Sequence, residues 1–235
     1  MTAPTLRAEA VGRSIGVPGS RFSLLIERFI VSPGARVAVV GPSGCGKSTL
    51  LGVLALALRP DTAGALQLAG TDAMALWQAG AADALAALRS RRIGFVAQTG
   101  ALLPFLTLRA NIALPQAIGA NLDAPWAATL AERLGIAAVL DRLPHAVSVG
   151  QRQRAAIARA LVHRPTLILA DEPTASVHPA QADAVLALLS EAATEQGTAL
   201  VITTHDAVRA QAAGFDLAPC DPSPSADATR VAYPP

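Results

Sequence analysis

The chain has 235 residues, 52% hydrophobic and 15% charged: enough apolar material for one large core and too much for a disordered segment. Nineteen basic against 17 acidic residues leave a formal charge of +2, which excludes a polybasic nucleic-acid binder, and 3% aromatics are too few for a base-stacking platform. Two cysteines, Cys45 and Cys220, exclude a disulfide framework and point to a reducing compartment.

The first predicted strand is Val37 to Val40, an apolar run that ends in Gly41. A helix is predicted after Gly46, over 47–59, stopped by Pro60, and an Ala/Leu-rich helix over 81–90 that ends in the basic cluster Arg89, Arg91 and Arg92. Ile93 to Ala97 is a second strand, running into Gln98. Helices over 126–134 and 151–163 follow, broken at Gly135 and Pro165. Leu167 to Ala170 is a third strand, leading into Asp171 and Glu172. A helix over 180–193 precedes a fourth, Leu200 to Thr204, leading into His205. From Pro219 the sequence is rich in Pro, Ser and Ala, and a loose tail is expected over 219–235. Short, fully apolar strands alternating with helices predict an α/β fold whose parallel sheet is covered on both faces. Ligands of such sheets gather at the carboxyl ends of the strands, where Gly41, Gln98, Asp171, Glu172 and His205 fall.

Mean hydropathy is +0.41, but no uncharged apolar run approaches the roughly 20 residues that span a bilayer. The N-terminus carries Arg7 and Glu9 and has no signal-peptide core. A cytoplasmic location is expected.

Of the 19 basic residues only Lys47 is a lysine. It lies in Gly41-Pro42-Ser43-Gly44-Cys45-Gly46-Lys47-Ser48-Thr49, which fits G-x-x-x-x-G-K-[ST] between a predicted strand and a predicted helix. Glycines let backbone N–H groups converge on phosphates, and the helix N-terminus adds a favourable dipole. Lys47 is expected to reach the β- and γ-phosphates of ATP, and Ser48 to ligate Mg²⁺. Asp171 is expected to hold Mg²⁺, mostly through water, and Glu172 to polarise the attacking water as general base.

These motifs, in this order, resemble the ATP-binding subunit of ABC transporters from about residue 6 to about residue 210. The closer resemblance is to the lipoprotein-release and macrolide-efflux subfamily. It is carried by Leu88-Arg-Ser-Arg-Arg-Ile-Gly-Phe-Val-Ala-Gln98, Leu102-Leu-Pro104, Asn111-Ile-Ala-Leu-Pro115, Ala156-Ile-Ala-Arg-Ala-Leu161 and Leu169-Ala-Asp-Glu-Pro173. The resemblance implies a P-loop NTPase core with an N-terminal antiparallel β portion and an inserted helical subdomain, about 99–160, within one domain over 1–218. It implies that Gln98 contacts Mg²⁺ and the water. It also implies that Ser148, Gly150 and Gln151 form a signature segment for ATP held by a second copy, and that His205 contacts the γ-phosphate. A head-to-tail homodimer on the inner face of the membrane follows from it, with a separate permease that meets about 99–147 and with no nucleic-acid partner. A soluble repair or translation ATPase fits worse, since the length leaves no room for a coiled-coil insertion or a second cassette.

Three positions depart from the family pattern. The signature usually reads Leu-Ser-Gly-Gly-Gln and here is Val147-Ser-Val-Gly-Gln151; Val149 puts a β-branched side chain where backbone should approach phosphate. His178 stands where the loop after Glu172 usually ends in aspartate, and is read as a helix cap rather than a pH sensor. The usual adenine-stacking aromatic is missing from Arg13-Ser-Ile-Gly16, leaving Ile15 for a weaker apolar contact or Phe22 for the base, with Phe22 read equally as core. Cys45 is read as a small filler rather than a redox thiol. These departures motivate the alternative of a nucleotide-gated module that binds ATP and dimerises but hydrolyses slowly.

Overall fold

The computed structural model describes residues 3–17, 20–119, 121–175, 179–223 and 228–234. Along the chain come β1 (Leu6–Val17), β2 (Ser20–Val31), β3 (Arg36–Val40), α1 (Lys47–Leu54), β4 (Ala65–Leu68), β5 (Thr71–Asp72), α2 (Ala73–Gln78) and α3 (Ala82–Arg92). Then follow β6 (Ile93–Val96), α4 (Leu108–Ile118), α5 (Ala124–Arg133), α6 (Val149–Leu161), β7 (Leu167–Ala170), α7 (Pro179–Glu195), β8 (Ala199–Thr204), α8 (Ala207–Ala212), β9 (Asp216–Pro222) and β10 (Ala228–Tyr233). The strands form one sheet in the order β5-β4-β1-β2-β10-β9-β3-β8-β7-β6. The block β3-β8-β7-β6 is parallel throughout, and β5, β4, β1 and β2 are antiparallel.

Period-two alternation in the central strands divides the core into two layers. Val37 and Val39, Leu167 and Leu169, and Ala199 and Val201 bury one face against α1 and the N-terminal strands. Ala38, Ile168 and Ala170, and Leu200 and Ile202 bury the other against α6, α7 and the α4–α5 pair. Both faces being covered is the reason these runs are apolar at every position. Gly94 marks where α6 closes on β6, for a Cβ there would stand 2.1 Å from the Ala160 carbonyl oxygen.

Three sequence expectations need correction. The first helix stops at Leu54, not Arg59: Leu56 takes φ +56°, and the turn folds back so that Ala57 and Leu58 N–H both donate to Gly52 C=O. Helix α4 was not anticipated as an element, because Pro115 lies inside it and proline reads as a helix breaker. The C-terminal segment, expected to be loose, forms β9 and β10 within the described residues. β10 lies parallel to β2 and antiparallel to β9, wedged between the two halves of the sheet. Thr229, Val231 and Tyr233 face inward at alternate positions, a period-two signal masked by the surrounding Pro and Ser. Tyr233 Oη donates to Asp216 Oδ2 at 2.9 Å, and its ring lies 5.6 Å from that of Phe29. Among the described residues no helix is long and apolar enough to cross a membrane.

Candidate active site

The turn after β3 is shaped by what lies beneath it. Gly44 and Gly46 take φ of +80° and +96°, a region that L side chains rarely adopt. A Cβ on Gly46 would also stand 2.4 Å from Cζ of Phe22, and one on Gly41 would stand 2.7 Å from both Cys45 Sγ and the Cys220 carbonyl oxygen. The glycines thus permit the turn and let it rest directly on β2 and β9. Pro42, Ser43 and Gly44 are exposed at its crest, while Cys45 is buried with its Sγ 3.3 Å from that of Cys220. Burial, and then the neighbouring Cys45, push the Cys220 thiol well above its ordinary range, so this thiol is held as S–H and is a poor nucleophile.

Lys47 opens α1 and is only 6% exposed. Its Nζ donates to the carbonyls of Gly41 and Pro42, each at 2.9 Å, and lies 3.4 Å from Glu172 Oε1. Ser48 Oγ donates to Asp171 Oδ2 at 2.9 Å, and Thr49 follows within the helix. The β6–β7 pairing continues one step past Ala170, so Asp171 N–H donates to the Val96 carbonyl. Glu172 takes φ +40°, a strained conformation for a side-chain-bearing residue, worth about 1–3 kcal/mol. His205, just past β8, is 70% exposed, with Nδ1 3.8 Å from Glu172 Oε2. Three chain segments therefore meet at the glycine-rich turn: the turn itself with Lys47 and Ser48, the Asp171–Glu172 pair, and His205.

The other sequence-predicted residues lie on other elements of the fold. Gln98 is exposed, two residues beyond β6. Its loop is tied back to α6, where the Arg159 guanidinium donates to the carbonyls of Gly100 and Ala101. Ser148 caps α6 in a capping box: its Oγ accepts from Gln151 N–H, and Gln151 Oε1 accepts from Ser148 N–H. Ser148, Val149, Gly150, Gln151 and Arg154 line an open hollow of 380 Å³ whose walls include no part of the 41–49 turn. Val149 is 46% exposed at its rim. Ile15, 40% exposed, pairs across β1–β2 with Phe22, whose ring packs on Gly46 and on the core. Phe22 is thus a support for the turn. His178 lies outside the described residues.

The donor set fits Mg²⁺. Ser48 and Asp171 offer only oxygens, and a hard, strongly hydrated ion of this kind is usually held by one or two carboxylates together with substrate phosphates. Among the described residues no group of three or more His, Cys, Asp or Glu side chains forms an all-protein metal cage.

Two buried residues in the site escaped sequence reasoning. Thr203 Oγ1 donates to Asp171 Oδ1 at 2.7 Å and accepts from Glu172 N–H at 2.9 Å. Gln153 Nε2 donates to the Pro173 carbonyl at 2.8 Å, joining α6 to the loop after Glu172. The only available signal was a polar side chain inside a buried run, Thr203 in Leu200 to Thr204.

Residues 27–175 match the sequence profile described as ABC transporter. The chain is 41% identical over 213 residues to a Rhodospirillum rubrum protein named lipoprotein-releasing system ATP-binding protein LolD 2, covering 88% of this chain and 90% of that one. It is 39% identical over 211 residues to a Sodalis glossinidius protein named macrolide export ATP-binding/permease protein MacB, covering 88% of this chain and 31% of that longer one. Among solved structures it resembles the ATP-binding cassette MJ0796, described as dimeric, in a post-hydrolysis state and bound to ADP and Pi. The TM-score is 0.80 at 27% identity, over 91% of this chain and 93% of that one.

Proposed function

The chain belongs to the ABC transporter family, and from that premise we propose that it is the ATP-hydrolysing subunit of a transport complex whose permease is a separate polypeptide. Similarity to the lipoprotein-releasing relatives supports lipoprotein release, or efflux of the same mechanical type, as the work performed. The observation that carries the reading is the convergence of Lys47, Ser48, Asp171, Glu172 and His205 over one glycine-rich turn.

In this reading Gly41 to Thr49 receive the phosphates of ATP on main-chain N–H groups and the α1 N-terminus. Lys47 exchanges its loop carbonyls for the β- and γ-phosphates, where its charge opposes the negative charge of the transferring group. Ser48, Asp171 and Gln98 would hold Mg²⁺, which would supply positive charge to offset that of the transferring phosphate. Glu172 accepts the proton of the attacking water, and His205 and Gln98 fix that water in line. Ile15 contacts the base.

Ser148, Gly150 and Gln151 line a hollow separate from the turn, which favours their serving ATP held by a second copy, head to tail. A dimeric relative supports that arrangement. The 99–147 segment of the helical subdomain, about 99–160 within a single domain, meets the permease on the cytoplasmic face. The slow-switch reading is not favoured, since the residues whose loss would stop hydrolysis, Lys47 and Glu172, are both retained.

The test is steady-state ATP hydrolysis by wild type and Glu172→Gln, with and without Mg²⁺. Turnover that needs Mg²⁺ and falls at least about 100-fold in the variant is expected. Undiminished hydrolysis by Glu172→Gln would remove the assigned base.

A further inference from the structure

We propose that Thr203 is a positioning residue for hydrolysis: its single buried hydroxyl aims the Asp171 carboxylate and fixes the main chain of Glu172. The inference rests on the reading of Asp171 and Glu172 given above, and extends it to a residue on a different strand.

The β7–β8 register pairs Ala170 with Ile202, so one step on, Thr203 arrives beside Asp171. The residue is fully buried, in a strand that is otherwise apolar up to Thr204. A hydroxyl has one proton and two lone pairs, so it can donate and accept at once. Thr203 does both: the proton goes to Asp171 Oδ1 at 2.7 Å, and a lone pair receives Glu172 N–H at 2.9 Å.

Each bond settles a different degree of freedom. With Oδ1 engaged from within, the Asp171 carboxylate turns Oδ2 outward to Ser48, 2.9 Å away, at the place proposed for Mg²⁺. The bond to Glu172 N–H holds a peptide whose φ of +40° is unfavourable, and that conformation directs the carboxylate between Lys47 Nζ and His205 Nδ1, at 3.4 and 3.8 Å. His205 lies two residues beyond Thr203 on the same chain segment. One oxygen therefore ties the metal carboxylate, the general base and the stem of the histidine into one rigid unit. Valine has nearly the same shape but offers neither proton nor lone pair, and would leave Asp171 Oδ1 and Glu172 N–H without these partners.

The experiment compares Thr203→Val, Thr203→Ser and Thr203→Ala with wild type, with Glu172→Gln as control. It reads kcat and KM for ATP, and the affinity for a non-hydrolysable ATP analogue by equilibrium binding with and without Mg²⁺. Thr203→Val and Thr203→Ala are expected to lose about 10–100-fold in kcat, the usual cost of removing a group that orients a metal ligand. Their analogue affinity without Mg²⁺ should stay at the wild-type value, and the gain in affinity on adding Mg²⁺ should shrink. Thr203→Ser, which keeps the hydroxyl, should restore both.

A purely structural role would lower the melting temperature while leaving kcat per bound analogue and the Mg²⁺ gain untouched; that result overturns the proposal. So does a Thr203→Ser chain as impaired as Thr203→Val. If Thr203→Val fails to melt cooperatively, the contrast between Thr203→Ser and Thr203→Ala decides by the same criteria. Undiminished hydrolysis in Glu172→Gln would instead remove Glu172 as the base, the reading on which this proposal rests.

Discussion

Gly46→Ala adds one methyl group to the glycine-rich turn before α1 and meets two obstacles that can be measured apart. The first is local: φ at Gly46 is +96°, and an L residue forced there costs about 1–3 kcal/mol. The second is tertiary. The new Cβ would stand 2.4 Å from Cζ and 2.8 Å from Cε1 of Phe22, so the ring must retreat by about 1 Å to reach ordinary contact, an overpacking cost of about 1–3 kcal/mol. Together they amount to about 2–6 kcal/mol of the roughly 5–15 that stabilise a domain. At about 2–4 °C per kcal/mol the expected fall in Tm is about 4–24 °C. Phe22→Leu removes the ring atoms nearest the new methyl, so it should relieve only the second cost. Thermal melts of wild type, both single variants and the double variant form the cycle, and a coupling of about 1–3 kcal/mol in favour of the double variant is expected. Additive effects would refute Phe22 as the steric floor of the turn. Full recovery in the double variant would refute the backbone contribution.

Removal of residues 224–235 strips Val231 and Tyr233 from the core and uncovers the edges of β2 and β9. Burial of those two side chains alone is worth about 3–6 kcal/mol, so Tm should fall by at least about 6 °C; an unchanged melt would mean that β10 does not hold the sheet. Tyr233 is the chain's single tyrosine, and burial together with its bond to Asp216 pushes its phenol from 10.0 up to about 12. The folded state keeps this proton longer than the unfolded one. The phenol's contribution to stability is therefore complete below pH 10 and is lost as pH rises from 10 toward 12. An ultraviolet titration of the native protein should show one late phenol ionisation, and an ordinary midpoint would contradict the Tyr233–Asp216 contact.

The parallel centre of the sheet was legible because both of its faces are buried, which leaves unbroken apolar runs such as Leu167 to Ala170. The glycine-rich turn between β3 and α1 was legible because its signal is local: glycines at fixed spacing, then Lys47 and Ser48. What stayed hidden depends on contacts distant in sequence. Thr203 reads as one more β-branched strand residue until the β7–β8 register sets it beside Asp171. Phe22 passes for a candidate base-stacking ring until β2 is placed under Gly46. β10 looks like tail because composition outweighs six residues of alternation, and its partner β2 lies some 200 positions earlier in the chain.

With Lys47 as its one lysine, the molecule has a single ε-amine, enclosed by the carbonyls of its own turn. The other 18 of the 19 Lys and Arg side chains are guanidiniums, which keep their charge at any physiological pH and are not targets of lysine acetyltransferases. Acylation on lysine thus has one address in this protein, and modification there would remove the charge proposed to meet the phosphates while leaving the charge of the outer surface unaltered.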